Sequence, residues 1–230
     1  WAAPMESLGL STAELFARFP KPSQEQKTKK RKEKASGEAG DRKPGGPVGK
    51  KGPVEEFQRA KLLRAVASPY PLLEVLEDFW FNHFNVDARK GAMRWMAGPY
   101  LRDVIRPRAL GEFPDLLEAV AESPAMLFYL DNWKSSFDSG KPARPGQAVN
   151  KKVKAENKKI KQPSKKGLNE NYGRELLELH TLGVDGGYDQ NDVVNAARAF
   201  TGWTLQKPNQ GEGAFLFRPA WHDPNAKKVL

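Results

Sequence analysis

The chain contains no cysteine, which excludes disulfides, zinc–thiolate sites, iron–sulfur clusters and cysteine nucleophiles. No stretch approaches the roughly 18–20 consecutive apolar residues that a membrane-spanning helix needs. Histidine is scarce, with three in 230 residues, so any imidazole chemistry rests on His83, His180 and His222. There is no Walker-type glycine loop, no Gly-x-Ser-x-Gly elbow, no dinucleotide fingerprint and no internal repeat. The first residue is Trp1 rather than Met, and Lys228-Val229-Leu230 carries no terminating signal. Both ends read as cuts in a longer protein, with any signal peptide lying upstream.

What is abundant is positive charge, a formal +10 overall. That balance invites a nucleic-acid reading, and position argues against it. Residues 21–52 contribute +7 and residues 134–166 contribute +9, which leaves −6 for everything else. Both basic segments are poor in apolar and aromatic residues. Neither can bury enough surface to offset the roughly 1–2 kcal/mol per residue lost on ordering, so both are expected to be disordered. They read as solvated inserts or as tethers to an anionic surface: polysaccharide, lipid or nucleic acid.

The remainder has helical periodicity. Residues 5–19 predict a short amphipathic helix. A second runs from Val54 to Ala67, with Phe57, Ala60, Leu62, Leu63 and Val66 as its stripe, and Ser68-Pro69 ends it. A third starts at Pro71, its stripe Leu72, Leu73, Leu76, Phe79, Trp80, His83 and Phe84. Residues 91–106 and 112–123 give two more, and 124–133 a short apolar helix or turn. Asn169 is a candidate N-cap for a helix that stops at Gly183; Asp189 and Asp192 open another, with Val193, Val194, Ala197 and Phe200 inside. Phe215 and Phe217 suggest a strand or hairpin at most. The expected fold is all-α, an irregular multi-helix domain. It divides into an N-terminal helical piece (1–20), a disordered basic insert (21–52), a first core part (53–133), a second insert (134–166) and a second core part (167–230) truncated at its C-terminal end.

Four constellations are candidates for chemistry. In Asp78–Val86, Asp78 and Asn82 share a helix face, and burial would depress the pKa of His83 and leave it a neutral base or ligand. A core histidine bonded to Asp or Asn explains the same residues. In Asn169–Gly183, Asn171, Glu175 and Glu178 fall on one face, Arg174 stands four residues from Glu178, and His180 lies near the helix end. An internal ion-pair network explains these equally. The oxygen-rich Gly183–Asp192 stretch suits calcium only loosely, since it lacks the EF-hand ladder, and a glycine turn into an Asp-capped helix accounts for it. Trp221-His222-Asp223-Pro224 is a site or a turn. All three histidines fall in these clusters, so His83, His180, His222 and Asp223 are metal candidates, while His83, Glu175, Glu178 and His180 are candidates for catalysis.

The strings EDFWFNHFNV (77–86), YLRDVIRPRALGEFPDLLEAVAESPAMLFYLDNW (100–133) and LNENYGRELLELHTLGVDGGYDQNDVVNAARAFTGWT (168–204) resemble signature segments of the bacterial family known as domain of unknown function eighteen-hundred. FRPAWHDPNAKKVL (217–230) is similar to its next segment, less closely. The resemblance covers roughly residues 54–133 and 167–230. It implies a helical protein exported to the periplasm or cell exterior, with a co-encoded, sulfatase-like exported neighbour as partner, and it implies no activity. The basic inserts depart from the family pattern. So does Gly173, where the family usually has alanine, a change that weakens a helix by up to about 1 kcal/mol.

The leading expectation is an exported helical domain of unknown activity with a buried polar site, in which His83 approaches the helix carrying Glu175, Glu178 and His180, since buried ionisable groups must find partners. The alternatives are a metal-assisted or general acid–base enzyme acting on an extracellular substrate, and a non-catalytic scaffold or binding module. Polyanion contact through the inserts is a weaker third.

Overall fold

The structure, a computed structural model, describes residues 5–20, 52–137, 167–206 and 213–230. Most of both predicted inserts lies outside these residues. The described chain is mostly helical, with one two-stranded sheet. It divides into two compact units: Trp1–Met126 with Gln206–Ala214, and Leu127–Leu205 with Phe215–Leu230.

In the first unit, Ser11 caps helix α1 (Thr12–Arg18) through a reciprocal capping box with Glu14, which satisfies two otherwise orphaned N–H groups. Leu15 is buried, and Trp95 donates its indole N–H to the Phe19 carbonyl at 2.8 Å. Upstream, the Ser7 backbone and hydroxyl both donate to buried Glu56 at 2.8 and 2.7 Å. Helices α2 (Pro53–Ala67) and α3 (Pro71–His83) each begin at a proline, whose missing N–H costs nothing in a first turn. Helix α4 (Met93–Pro99) continues into a wider π-helical segment, Tyr100–Ile105, and a short 3-10 turn at Arg106–Arg108. Pro107 cannot donate to the Asp103 carbonyl; the Arg108 guanidinium does so instead, at 3.3 Å, and also reaches the Val104 carbonyl. Helix α5 (Phe113–Glu122) buries Leu116, Val120 and Ala121.

The expected inner stripes of α2 and α3 need correction. Phe57 and Ala60 are buried as predicted, but Leu62, Leu63 and Val66 are exposed. On α3, Leu72 and Phe79 are exposed, whereas Glu77 and Phe81 are buried. The reason is electrostatic. Glu77 meets two arginines, which lets its carboxylate turn inward beside Phe81 and Phe84.

Helix α6 (Pro124–Tyr129) leads into the second unit, built on α7 (Asn171–Glu175) and α8 (Gln190–Ala199). Asn169 accepts from the Asn171 N–H at 3.0 Å, but the N-cap of α7 is Glu170, so Asn169 stands one residue outside its predicted position; Asp189 caps α8 with Asp192 in a second capping box. Beyond α7 the chain is π-helical over Leu176–Thr181, then turns at Gly183, whose φ of 86° favours glycine. Gly173 sits where α7 crosses α8; a Cβ there would lie 2.7 Å from both Ala197 N and the Val193 carbonyl oxygen. The sheet pairs β1 (Trp203–Leu205) antiparallel to β2 (Phe215–Phe217), with Thr204 opposite Leu216. Buried Asn132 donates to the carbonyls of Phe200 and Trp203 at 3.1 and 3.2 Å and so ties the segment after α6 to the helix–sheet junction.

Candidate functional site

His83 ends α3 in an aromatic setting. Its ring lies 4.6 Å from Phe84 and 5.7 Å from Trp80, edge-to-face, and 6.3 Å from Phe79, stacked. It is half-buried rather than in the core. Asn82 donates to Asp78 at 3.2 Å, so these two share a face as predicted, but that face is exposed and Asp78 also pairs with Lys61.

A more deeply buried charge cluster adjoins Asp78 on the same helix, and sequence reasoning missed it. Arg106 holds Glu74 in a two-pronged contact at 2.8 and 3.0 Å and also bonds Glu77. Arg64 reaches the other Glu77 oxygen at 3.0 Å and lies 3.5 Å from Glu74. The Arg106 guanidinium holds the Glu74 carboxyl below its usual range, against the opposing effect of burial. The Arg106 pKa is raised in return, first by the Glu74 hydrogen bonds. The available signal was the Glu74–Glu77 spacing of three, which places two carboxylates on one face of a helix. A cleft of about 220 Å³ also opens in this unit beside Tyr100–Ile105, with Met96, Pro99, Val104 and Pro124 in its wall. Arg102 and Asp103, at its edge, pair with each other at 2.7 Å.

Glu175, Glu178, His180, His222 and Asp223 belong to the second unit. The π-helical segment carries Glu178 and His180. Its register is visible in the Leu182 N–H, which bonds the carbonyl of Leu177 five residues back at 2.9 Å. The Thr181 hydroxyl closes the Leu176 carbonyl at 2.7 Å. His180 is buried, and Tyr172, fully buried, meets its ring edge-to-face at 6.2 Å while stacking on Phe200 at 5.0 Å. Burial pushes the Tyr172 hydroxyl pKa strongly upward, so it is a neutral donor at any physiological pH. Glu175 is raised by burial and then by the neighbouring Glu178 charge, with Arg174 opposing. The expected pairing of Arg174 with Glu178 gives way to a bond to Gln190 at 2.9 Å and a 3.7 Å approach to Glu170. Beyond Glu175 the wider turn no longer stacks residue i+4 over residue i, which takes Glu178 off that face. Leu179, two residues beyond buried Leu177, is exposed.

His222 and Asp223 enter a closed polar core. Arg198 donates to Asp223 Oδ2 at 2.5 Å, and the Asn225 backbone and side chain both donate to Oδ1 at 2.9 and 2.7 Å. The Asp223 backbone N–H donates to the Thr201 hydroxyl, which donates onward to the Arg198 carbonyl. Burial alone would raise the Asp223 carboxyl; Arg198 and Asn225 outweigh it and hold the pKa at about 2. His222 Nδ1 lies 2.9 Å from the Thr201 carbonyl oxygen. A carbonyl only accepts, so Nδ1 is the donor in this contact. In the Gly183–Asp192 stretch, Asp189 and Asp192 accept backbone N–H bonds in the α8 capping box. Among the described residues, no three His, Asp or Glu side chains gather closely enough to hold a metal ion.

No helix among the described residues is long and apolar enough to cross a membrane. No curated protein and no solved structure matches the chain. The family model described as "Protein of unknown function (DUF1800)" matches residues 8–230, and with nearly its whole length covered the chain belongs to that family.

Proposed function

We propose that the chain is a non-catalytic scaffold or binding module, exported to the periplasm or cell exterior, in which the buried charges are structural. The observation that carries this reading is the state of the buried carboxylates. Both oxygens of Glu77 are taken by Arg64 and Arg106, and both oxygens of Asp223 by Arg198 and Asn225. Carboxylates so engaged are neutralised in place and offer no oxygen to a substrate. Export is supported by the family resemblance, which also makes the sulfatase-like neighbour the first partner to seek by co-purification. The test is a pairwise comparison in the full chain. Glu77→Gln and Asp223→Asn should lower the unfolding temperature while elemental analysis of the parent finds no stoichiometric transition metal. A stoichiometric metal that His180→Asn removes would overturn the proposal.

A second reading rests on one specific observation: a carboxyl raised by burial and by an adjacent carboxylate is a pattern that general acids use. Glu175 and Glu178, on the helix that also carries His180, would then form an acid–base centre acting on an extracellular substrate, with or without a metal. That reading requires Glu178→Gln to bring the Glu175 carboxyl back toward its ordinary titration range, read by carbon-13 NMR of the carboxyl groups. An unmoved Glu175 would remove it.

A further inference from the structure

The cleft of about 220 Å³ beside Tyr100–Ile105 has none of the buried carboxylates in its wall. Three elements of the first unit build it: the start of α1, the π-helical segment after α4, and the start of α6. Met96, Pro99, Val104, Pro124 and the Tyr100 ring make it mainly apolar. The Tyr100 hydroxyl is spent on the Phe84 carbonyl at 3.0 Å. Arg102 fastens the walls in advance, donating to the carbonyls of Leu8 and Leu10 ahead of α1 at 2.6 and 3.1 Å. A π-helical turn is rare and concentrates at functional sites.

Size, charge and hydrogen bonding name the occupant. A cavity of about 150 Å³ accepts a benzene ring, whereas ligands of drug size fill roughly 300–1,000 Å³. The cleft is therefore sized for one large side chain. The two charged residues in its wall, Arg102 and Asp103, neutralise each other through two bonds of 2.7 Å, so an ionic ligand gains nothing there. Two hydroxyls are left over. Among the described residues the Thr12 hydroxyl has no hydrogen-bond partner. Ser123, 3% exposed, accepts from the Ala125 N–H at 3.2 Å without donating onward. A main-chain carbonyl beside the seated side chain supplies the acceptor that each hydroxyl proton lacks. We propose that the cleft is an anchor pocket for one large uncharged apolar side chain, phenylalanine or leucine, of a polypeptide partner, whose flanking carbonyls accept from Thr12 and Ser123. A few such anchors carry most of the energy of an interface. The proposal deepens the binding-module reading and rests on it; the metal analysis that tests that reading is a separate measurement, so the two failures are distinguishable.

Methyl NMR of the full chain reads the pocket directly, because Met96 stands in its wall while Met93 and Met126 are fully buried outside it. N-acetyl-phenylalanine methylamide carries the side chain and two carbonyls without charge. It should shift the Met96 methyl with a Kd on the order of 1 mM, as a ligand of its size allows. N-acetyl-glycine methylamide, which lacks the side chain, and N-acetyl-phenylalanine, which carries a carboxylate, should bind at least about tenfold more weakly. Val104→Phe, which fills the cleft, should abolish the shift. Thr12→Val should weaken binding about three- to tenfold, the worth of one hydrogen bond, with an unchanged melting curve. A Met96 resonance that stays put at about 10 mM ligand, tenfold above that Kd, overturns the proposal. So does a shift that survives Val104→Phe. Should Val104→Phe melt early, Thr12→Val decides alone, and an unchanged Kd overturns the proposal. p-Cresol that binds as tightly as the capped amino acid would give the cleft to free aromatic molecules and overturn it as well.

Discussion

Replacing Gly173 by alanine sets two calculable effects against each other. In an isolated helix the change is favourable by about 0.8–1.0 kcal/mol, because alanine loses less backbone freedom. In this fold the new Cβ would stand 2.7 Å from Ala197 N and from the Val193 carbonyl oxygen, and 3.1 Å from Ala197 Cα. Ordinary contact begins near 3.4 Å, so α7 and α8 must separate by roughly 0.7 Å. All three obstructing atoms are backbone, and no rotamer change relieves them. Overpacking of this kind costs typically 1–3 kcal/mol, and the separation also loosens Leu177 against Val193 and Ala196. The net expectation is a loss of up to about 2 kcal/mol, or as much as roughly 8 °C in Tm for a domain of this size. Calorimetry of the full chain and of Gly173→Ala measures it directly. A Tm that rises by a degree or more would show that the helices move apart freely and that the close crossing contributes nothing. Relatives with alanine here should cross these helices at a wider spacing.

The other expectations concern charge. Asp223→Ala should cost about 3–5 kcal/mol, as expected when one partner of a buried pair is removed; chemical denaturation that shows less than 1 kcal/mol would mean Arg198 finds other compensation. The Asp223 pKa is depressed in the folded state to about 2. Its contribution is therefore fully present above the unfolded value near 4 and lost as pH falls from about 4 through 2, a window that acid titration of the parent should show and Asp223→Asn should lack. Arg106→Lys keeps the charge but loses the planar fork that spans Glu74 and Glu77, and melting should detect a loss on the order of 1–3 kcal/mol. Heparin binding, assigned to the basic segments, should weaken steeply with salt and vanish on deleting 22–51 and 138–165; retention by the shortened chain would place it elsewhere.

The helix-rich class was legible because proline, capping and glycine signals are local. Pro53 and Pro71 start helices, Asp189 caps one, and Gly183 ends one, each within a residue or two of expectation. The inward faces of α2 and α3 were less legible. Apolar counting favours Leu72 and Phe79, while the fold buries Glu77, because Arg64 and Arg106 arrive from 13 and 29 residues away. Nothing in the local pattern of α3 announces them. The π-helical turn after Glu175 escaped for a similar reason. The face holding Asn171, Glu175 and Glu178 follows from a 3.6-residue period, and one wider turn takes Glu178 off it. The closeness at Gly173 was also invisible, since a glycine in a helix reads first as a weakness and only the crossing partner shows its use.

The backbone beside the second basic segment bears on how such a chain tolerates insertion. Ser135 bridges Gly167, and the Ser136 N–H bonds the Gly167 carbonyl at 3.2 Å. The two chain ends flanking residues 138–166 are thus stapled to each other by the fold itself. Gln206 and Ala214 repeat the arrangement at 2.8 Å around a shorter interval. Where the mouth of a loop is already closed, each doubling of its length adds only about 0.6 kcal/mol of closure entropy. These two points act as ports through which a lineage can lengthen, shorten or exchange sequence at little thermodynamic penalty, and at which an engineer could graft a reporter or a foreign domain.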